Sequence, residues 1–184
     1  GSDEVHERVG RHYLAAGEWA RALEPLCRGI EQRLEGGDLE VAAMLLMERE
    51  RAIARASLPE SDPAWGEGWV LWARLCRLRG QVMDAELWAA KAQVPAREHG
   101  WDTVAVDALW ELGRLARIRG HTTKAWKLLY EAEQLAMDRR DRSLLAGLRM
   151  DMALLLLDRG SAAKAADYLR FARSDFEAAE DAMG

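Results

Sequence analysis

The chain has 184 residues and a formal net charge of −5 at pH 7. Alanine, leucine, arginine and glutamate are abundant whereas only 2 Phe, 3 Tyr and 4 Pro occur, which indicates an all-helical protein. Nucleic-acid interfaces normally carry a basic field, and a membrane-spanning helix needs about 20 apolar residues; the sequence shows neither feature. No signal peptide is visible, so we expect a cytoplasmic protein that binds neither nucleic acid nor membranes.

The first half of the sequence predicts five helices, over about 3–16, 18–35, 38–56, 63–79 and 82–98. Gly17 and the pair Gly36-Gly37 end the first two helices, because glycine enters the left-handed cap conformation at little cost. Asp38 is expected to cap the third helix. Pro25 is expected to kink the second helix, because proline removes a backbone donor and crowds the preceding turn.

The fourth helix has a strong start signal, Asp62 as the N-cap and Pro63 at the first helical position. Pro95 is expected to bend or end the fifth helix. Four further helices follow, and the residues expected to cap them are Asp102, Thr122, Asp141 and Ser161.

A repeat of forty residues runs through the second half of the sequence. Gly80, Gly120 and Gly160 each follow an arginine, and each is followed five and twelve residues later by alanine. These alanines are Ala85, Ala92, Ala125, Ala132, Ala165 and Ala172. Gly17 and Ala22 begin a weaker copy. A fixed period of this length indicates stacked pairs of helices, because neither helix of a pair can bury its apolar stripe alone.

This pattern resembles the tetratricopeptide repeat (TPR) family. Around Gly120 the matching residues are Leu109, Leu112, Gly113, Ala116, Ala125, Leu129 and Ala132; around Gly80 they are Trp69, Trp72, Ala73, Ala85, Ala89 and Ala92. The resemblance implies an all-α, TPR-like α-solenoid of about nine antiparallel helices in a right-handed superhelix. It gives a single domain over 3–184, with clear repeats at about 64–100, 102–140 and 142–181 and a diverged repeat at about 3–56. The helix at 38–56 is expected to be irregular, unless the second helix pairs with two neighbours.

Catalytic and metal-binding patterns are missing from the sequence. The four histidines are scattered, and there is no phosphate-binding loop or nucleophile motif. Cys27 and Cys76 lie on apolar faces without partner spacing and are interpreted as buried, reduced thiols. We therefore expect no enzymatic activity, no metal and no cofactor.

Five residues are candidates for binding a partner. In TPR proteins the first helix of each pair lines a concave groove, and the matching positions here include Arg74 and Arg77 in one repeat and Arg114 and Arg117 in the next. Arginines so spaced could bind carboxylates in bidentate fashion, or they are ordinary surface arginines paired with nearby Glu and Asp. Trp110 lies one turn before Arg114 and could anchor a partner.

Three hypotheses of function follow. The preferred one is a non-catalytic protein–protein interaction scaffold, a regulatory module of a larger bacterial signalling protein that docks a protein segment or a neighbouring domain. The second is a small-molecule sensor that stacks its ligand on Trp110. The third is self-association into a homodimer through the ninth helix, with Tyr168, Leu169, Phe171 and Phe176. Gly1 and Ser2 are interpreted as a cloning scar and the chain as a fragment.

Overall fold

A computed structural model describes residues 3–181, with side chains from residue 5 to residue 179. Over that range the chain forms nine α-helices and no strand. They are α1 (Asp3–Ala15), α2 (Trp19–Glu35), α3 (Leu39–Ala56), α4 (Pro63–Leu78), α5 (Val82–His99), α6 (Asp102–Ile118), α7 (Thr122–Arg139), α8 (Arg142–Asp158) and α9 (Ala162–Asp181). The predicted all-α repeat fold is confirmed, and the first five helices end within one residue of the expected positions. Gly1 and Ser2, interpreted as a cloning scar, lie outside the described residues.

The chain divides into two compact units, Gly1–Val104 and Ala105–Gly184, with the boundary inside α6. Each unit has its own buried core. The expectation of a single domain over 3–184 stays a prediction.

Five turns between helices share one geometry. Their glycines have φ between 71° and 77°, the left-handed conformation that glycine adopts without a Cβ clash; they are Gly17, Gly37, Gly80, Gly120 and Gly160. The residue after each glycine donates its backbone N–H to a carbonyl five positions earlier, as Gln81 does to Cys76 at 2.8 Å. Satisfying the last carbonyls in this way lets the chain reverse within a few residues.

Small residues follow each turn inside the next helix. The alanines five and twelve residues after the glycines of the forty-residue repeat are all buried, which lets two helix backbones approach closely. Ala22, five residues after Gly17, is also fully buried.

In the first unit, the helix predicted at 38–56 is α3, and it packs against α2 and α4. Helix α2 packs against α1, α3 and α4, and α3 also packs against α4. The turns at Gly17 and Gly37 make α2 a member of two successive hairpins, which is one of the two arrangements expected from the sequence. The core of the first unit includes Leu26, Ile30, Leu45, Leu46 and Leu75.

The second unit is built on helix α8. This helix packs against α7 and α9, and its residues Leu148, Met152 and Leu155 share a core with Leu109 of α6 and Leu129 of α7. Gly113 of α6 makes room for Leu129, because a Cβ at Gly113 would lie 2.7 Å from that side chain.

Two predicted caps are wrong. Thr122 is the first residue of α7, and the N-cap is His121, because each turn places the cap directly after its glycine. Asp102 is the first residue of α6 rather than its cap, so its carboxylate acts on the helix dipole from the first turn. Asp38, Asp62 and Asp141 do accept backbone hydrogen bonds at the starts of α3, α4 and α8.

Pro25 and Pro95 both lie inside continuous helices. Pro25 is within α2, and Pro95 is within α5, which continues to His99. The expectation that Pro95 could end the helix is therefore wrong. Proline costs one backbone hydrogen bond, and the buried face of α5, which includes Ala92 and Ala96 on either side of Pro95, still packs.

Candidate functional site

Two of the predicted site residues, Arg74 and Arg77, lie on α4 in the first unit. The side chain of Arg74 is largely covered, and its Nη1 lies 3.4 Å from Oε1 of Glu31 on α2. Arg77 is half-buried and also interacts with other residues. Both arginines therefore have interaction partners within the protein.

The other three, Trp110, Arg114 and Arg117, lie on the part of α6 that belongs to the second unit. We call these three residues the α6 row. Asp151 on α8 accepts two hydrogen bonds at one oxygen, from Nε1 of Trp110 at 2.5 Å and from Nε of Arg114 at 2.6 Å. The guanidinium of Arg114 also lies over the Trp110 ring, 4.2 Å from its centroid. The predicted Trp–Arg pair thus exists, held by a carboxylate of the neighbouring helix.

Carboxylates compensate the arginines of the α6 row. Arg114 donates a second bond to the buried Glu111 at 2.9 Å, and Arg117 pairs with Asp158 of α8 at 2.9 Å. These groups carry two positive and three negative charges, so they do not create a positive field. An acidic partner would have to compete with Asp151 and Asp158 for the same guanidinium groups. Binding of carboxylates by these arginines stays a prediction.

Helix α8 shows why the α6 row is covered. Gly147 lies beneath the Trp110 indole, and a Cβ there would be 2.4 Å from Cη2 of that ring. The absent side chain at Gly147 and the carboxylate of Asp151 together form the surface that receives the α6 row. This is close helix packing that depends on a small residue at the contact.

The positions on α8 that correspond to the α6 row lie forty residues later and carry Met150, Leu154 and Leu157. We call these residues the α8 row. Their spacing of i, i+4 and i+7 places them on one helix face, and they are 44%, 40% and 47% exposed. Helix α8 covers the α6 row. The α8 row occupies the equivalent positions one repeat later, and within the described residues it is an exposed apolar surface. Sequence reasoning missed it, although the forty-residue register was a signal that could have identified it.

Helix α9 carries the apolar residues proposed for self-association. Leu169, Phe171 and Phe176 are exposed. Tyr168 instead packs edge-on against Trp126, with ring centroids 5.8 Å apart. Leu169 and Phe176 are seven residues apart and share one side of α9, whereas Phe171 lies on another side. Tyr168 belongs to the packing between α7 and α9.

The two cysteines are free thiols. Burial, reinforced by the nearby carboxylates of Glu31 and Glu67, raises the pKa of Cys27 to about 12. Burial also raises the pKa of Cys76. Because the thiolate is the reactive form, neither thiol is suited to be a nucleophile at neutral pH.

The described part of the chain has neither a metal-binding cluster nor a membrane-spanning helix. Among the side chains that the structure describes, those of residues 5–179, no group of three or more His, Cys, Asp or Glu is arranged to hold a metal ion. In the same part of the chain, no helix is both long and apolar enough to cross a membrane.

Comparison with known proteins identifies the fold. No protein-family model matches the chain, and no curated protein sequence matches it. The crystal structure of BtubC (BKLC) from P. vanneervenii is similar, with a TM-score of 0.67 and 16% identity, over 97% of this chain and 88% of that one. A kinesin light chain candidate with nearly identical TPR-like repeats from Podosopora anserina is also similar, with a TM-score of 0.56 and 16% identity, over 92% of each chain. At this level of identity the likeness establishes a fold and not a function. The chain has the fold of the TPR-like helical repeat proteins.

Proposed function

We propose that the protein is a non-catalytic protein–protein interaction scaffold whose docking surface is the α8 row. The observation that carries the proposal is the exposure of Met150, Leu154 and Leu157 on one face of α8. Contiguous apolar surface on a soluble protein commonly marks an interaction site. Repeat proteins of this kind bury such a face by stacking the next element onto it.

The occupant that fits the α8 row is an amphipathic helix. Helix α8 covers the α6 row with a small residue and a polar acceptor, and an incoming helix could contact the α8 row in the same way. Apolar anchors at i, i+4 and i+7 are the usual contacts when a helix lies in a groove. The helix could come from another protein or from a neighbouring domain of the parent protein.

The cellular role belongs to the same proposal. The forty-residue repeats, with an Arg-Gly turn followed by alanine, resemble the arrays that directly follow ATPase or kinase domains in bacterial signalling proteins. This resemblance supports a regulatory module of a larger protein of that kind. Free thiols at Cys27 and Cys76 are compatible with a reducing compartment, which supports a cytoplasmic location.

Site-specific photocrosslinking tests the docking surface. A photoreactive phenylalanine derivative replaces Leu154 in one variant and Leu87, an exposed residue of α5 in the first unit, in a control variant. After irradiation in cells of the source organism, mass spectrometry maps the crosslinked peptides. We expect a segment with apolar residues at i, i+4 and i+7 to be linked to position 154 and not to position 87. Equal labelling at both positions, or labelling of unrelated peptides only, would contradict the proposal.

Self-association is a second candidate, because α9 exposes Leu169 and Phe176, seven residues apart on one side of the helix, and Phe171 on another side. If this surface mediates a homodimer, light scattering gives twice the mass of the chain. Changing Phe171 and Phe176 to glutamate returns the mass to that of a monomer. A monomeric wild-type protein at high concentration excludes this candidate.

The sensor hypothesis has less support. Arg114 covers one face of the Trp110 ring, and Asp151 accepts from its indole N–H. A flat ligand stacked on that face would first have to displace Arg114.

A further inference from the structure

A cavity of about 410 Å³ lies in the first unit, between the loop that follows α3, the start of α4 and the end of α5. We call it the Trp65–Trp69 pocket, and its lining residues are Glu60, Trp65, Trp69, Pro95, Glu98 and His99. It is distinct from the α8 row, which belongs to the second unit. Its volume is in the range of pockets that hold small ligands or single side chains.

Aromatic rings form one wall of this pocket. Trp65 and Trp69 are one turn apart on α4, and both indoles are half-buried. Pro95 of α5 adds a further apolar surface. Indole rings favour cations over their faces, because the ring quadrupole is negative there. Trp69 already makes such a contact, since Nζ of Lys91, which does not line the pocket, lies 4.6 Å from its ring centroid.

The charged groups of the pocket are acidic and uncompensated. Glu60 and Glu98 are exposed, and neither makes an ion pair or hydrogen bond with any residue that the structure describes. No lysine or arginine lines the pocket. Elsewhere in this unit, carboxylates such as Glu50 and Glu67 are bound by Trp72 and Arg49. Two available carboxylates beside two indoles match a group that has a positive head and an apolar stem.

We propose that the Trp65–Trp69 pocket binds a lysine or arginine side chain of a partner protein. The methylene stem packs against the indoles and Pro95, and the ammonium or guanidinium donates charge-assisted hydrogen bonds to Glu60 and Glu98. Carboxylates accept hydrogen bonds from N–H groups. The pocket therefore prefers an ammonium or guanidinium group to a quaternary ammonium, which has no N–H donor.

Nuclear magnetic resonance tests this proposal with a capped peptide, Ac-Gly-Arg-Gly-NH2. The indole N–H signals of Trp65 and Trp69 are assigned with single Trp→Phe variants. We expect the peptide to shift these two signals in a saturable manner and the other six indole signals much less. Ac-Gly-Glu-Gly-NH2 and tetramethylammonium should shift them at least tenfold less at the same concentration.

A matched pair of variants isolates the role of the carboxylates. E60Q/E98Q should weaken binding of the arginine peptide at least tenfold. E24Q/E35Q removes the same charge from exposed residues of the same unit and should change the affinity less than twofold. Backbone amide spectra verify that both variants are folded. The proposal is overturned if the peptide leaves both signals unmoved, if tetramethylammonium binds equally well, or if the two double variants behave alike. None of these results bears on the α8 row, which is tested separately.

Discussion

Arg49 on α3 is fully buried, although it carries a charge. Its guanidinium donates to the carbonyl of Ala64 at 2.7 Å and to Glu67 at 2.6 Å. Gly68 makes room for it, because a Cβ there would lie 3.0 Å from Nη1. The side chain thus links α3 to the start of α4 by a charged contact inside the core.

We predict that Arg49→Ala lowers the free energy of unfolding by about 3 kcal/mol, because it removes two hydrogen bonds and leaves a cavity. Arg49→Met retains most of the volume and should lose about 1–2 kcal/mol. Urea titration followed by circular dichroism measures both changes. An Arg49→Ala variant as stable as the wild type would show that the contact contributes nothing.

The Cys27 thiol makes the free energy of unfolding depend on pH in the alkaline range. Its pKa is about 12 in the folded state, against 9.0 for an unperturbed thiol, so the unfolded chain loses the proton first as the pH rises. The contribution is therefore complete below pH 9 and is lost between pH 9 and about pH 12.

We predict that above pH 9 the free energy of unfolding of the wild type falls by about 1 kcal/mol more per pH unit than that of Cys27→Ala. One such titration gives a slope near 1.4 kcal/mol per pH unit. Urea titrations at about pH 8, 9.5 and 10.5 compare the two proteins. Tyrosine and lysine residues also titrate in this range, but their effects are common to both proteins and cancel in the difference. Parallel pH profiles would show that Cys27 titrates normally.

Much at this scale follows from the sequence. The turn glycines and buried alanines were predictable, because spacing alone identifies the residues that permit a close turn or helix approach. Arg49 was not predictable. It lies twelve residues after Gly37, the position that carries alanine after Gly80, Gly120 and Gly160. Its burial depends on Gly68 and Glu67, which only the fold places beside it.

At the scale of elements, three helices end with a residue in the left-handed conformation: α3 at Ser57, α5 at Gly100 and α7 at Arg140. Only one of these residues is glycine. The φ of Arg140 is 56°, and a side chain in this conformation costs about 1–2 kcal/mol.

Replacing Arg140 by glycine should therefore raise the free energy of unfolding by about 0.5–1 kcal/mol, after allowing for the greater freedom of glycine in the unfolded chain. Arg139→Gly is the matched control, because Arg139 is the last helical residue of α7, and it should destabilise by up to about 1 kcal/mol. Thermal unfolding of both variants tests the difference. If both changes destabilise equally, the cap conformation is not the cause.

The contact between α6 and α8 gives a second prediction for elements. Gly147→Ala places a Cβ where the Trp110 ring lies, so the indole must move away from Asp151. We expect a loss of about 2 kcal/mol, typical of an overpacked contact.

A double-mutant cycle with Trp110→Ala supplies the control. Once the ring is removed, Gly147→Ala should no longer destabilise and should raise the free energy of unfolding by up to about 1 kcal/mol, because alanine has the higher helix propensity. An unchanged cost in the Trp110→Ala background would place the effect of Gly147 elsewhere.

For the whole molecule, the forty-residue period was enough to predict the all-α repeat fold. It did not determine how the helix at 38–56 is paired, because that depends on the extra turn at Gly37. Nor did it identify the proposed docking surface on α8. Arginine and tryptophan are residue types typical of binding sites, so the α6 row could be predicted as a candidate. The exposure of Met150, Leu154 and Leu157 depends on which helix covers which.

Titration calorimetry tests whether the α8 row binds an amphipathic helix. The titrant is a synthetic peptide of the protein segment that is crosslinked at position 154. We expect at least about tenfold weaker binding to Leu154→Glu, equivalent to about 1.4 kcal/mol, and unchanged binding to Leu87→Glu. Equal affinities for the wild type and Leu154→Glu would show that the α8 row is not the docking surface.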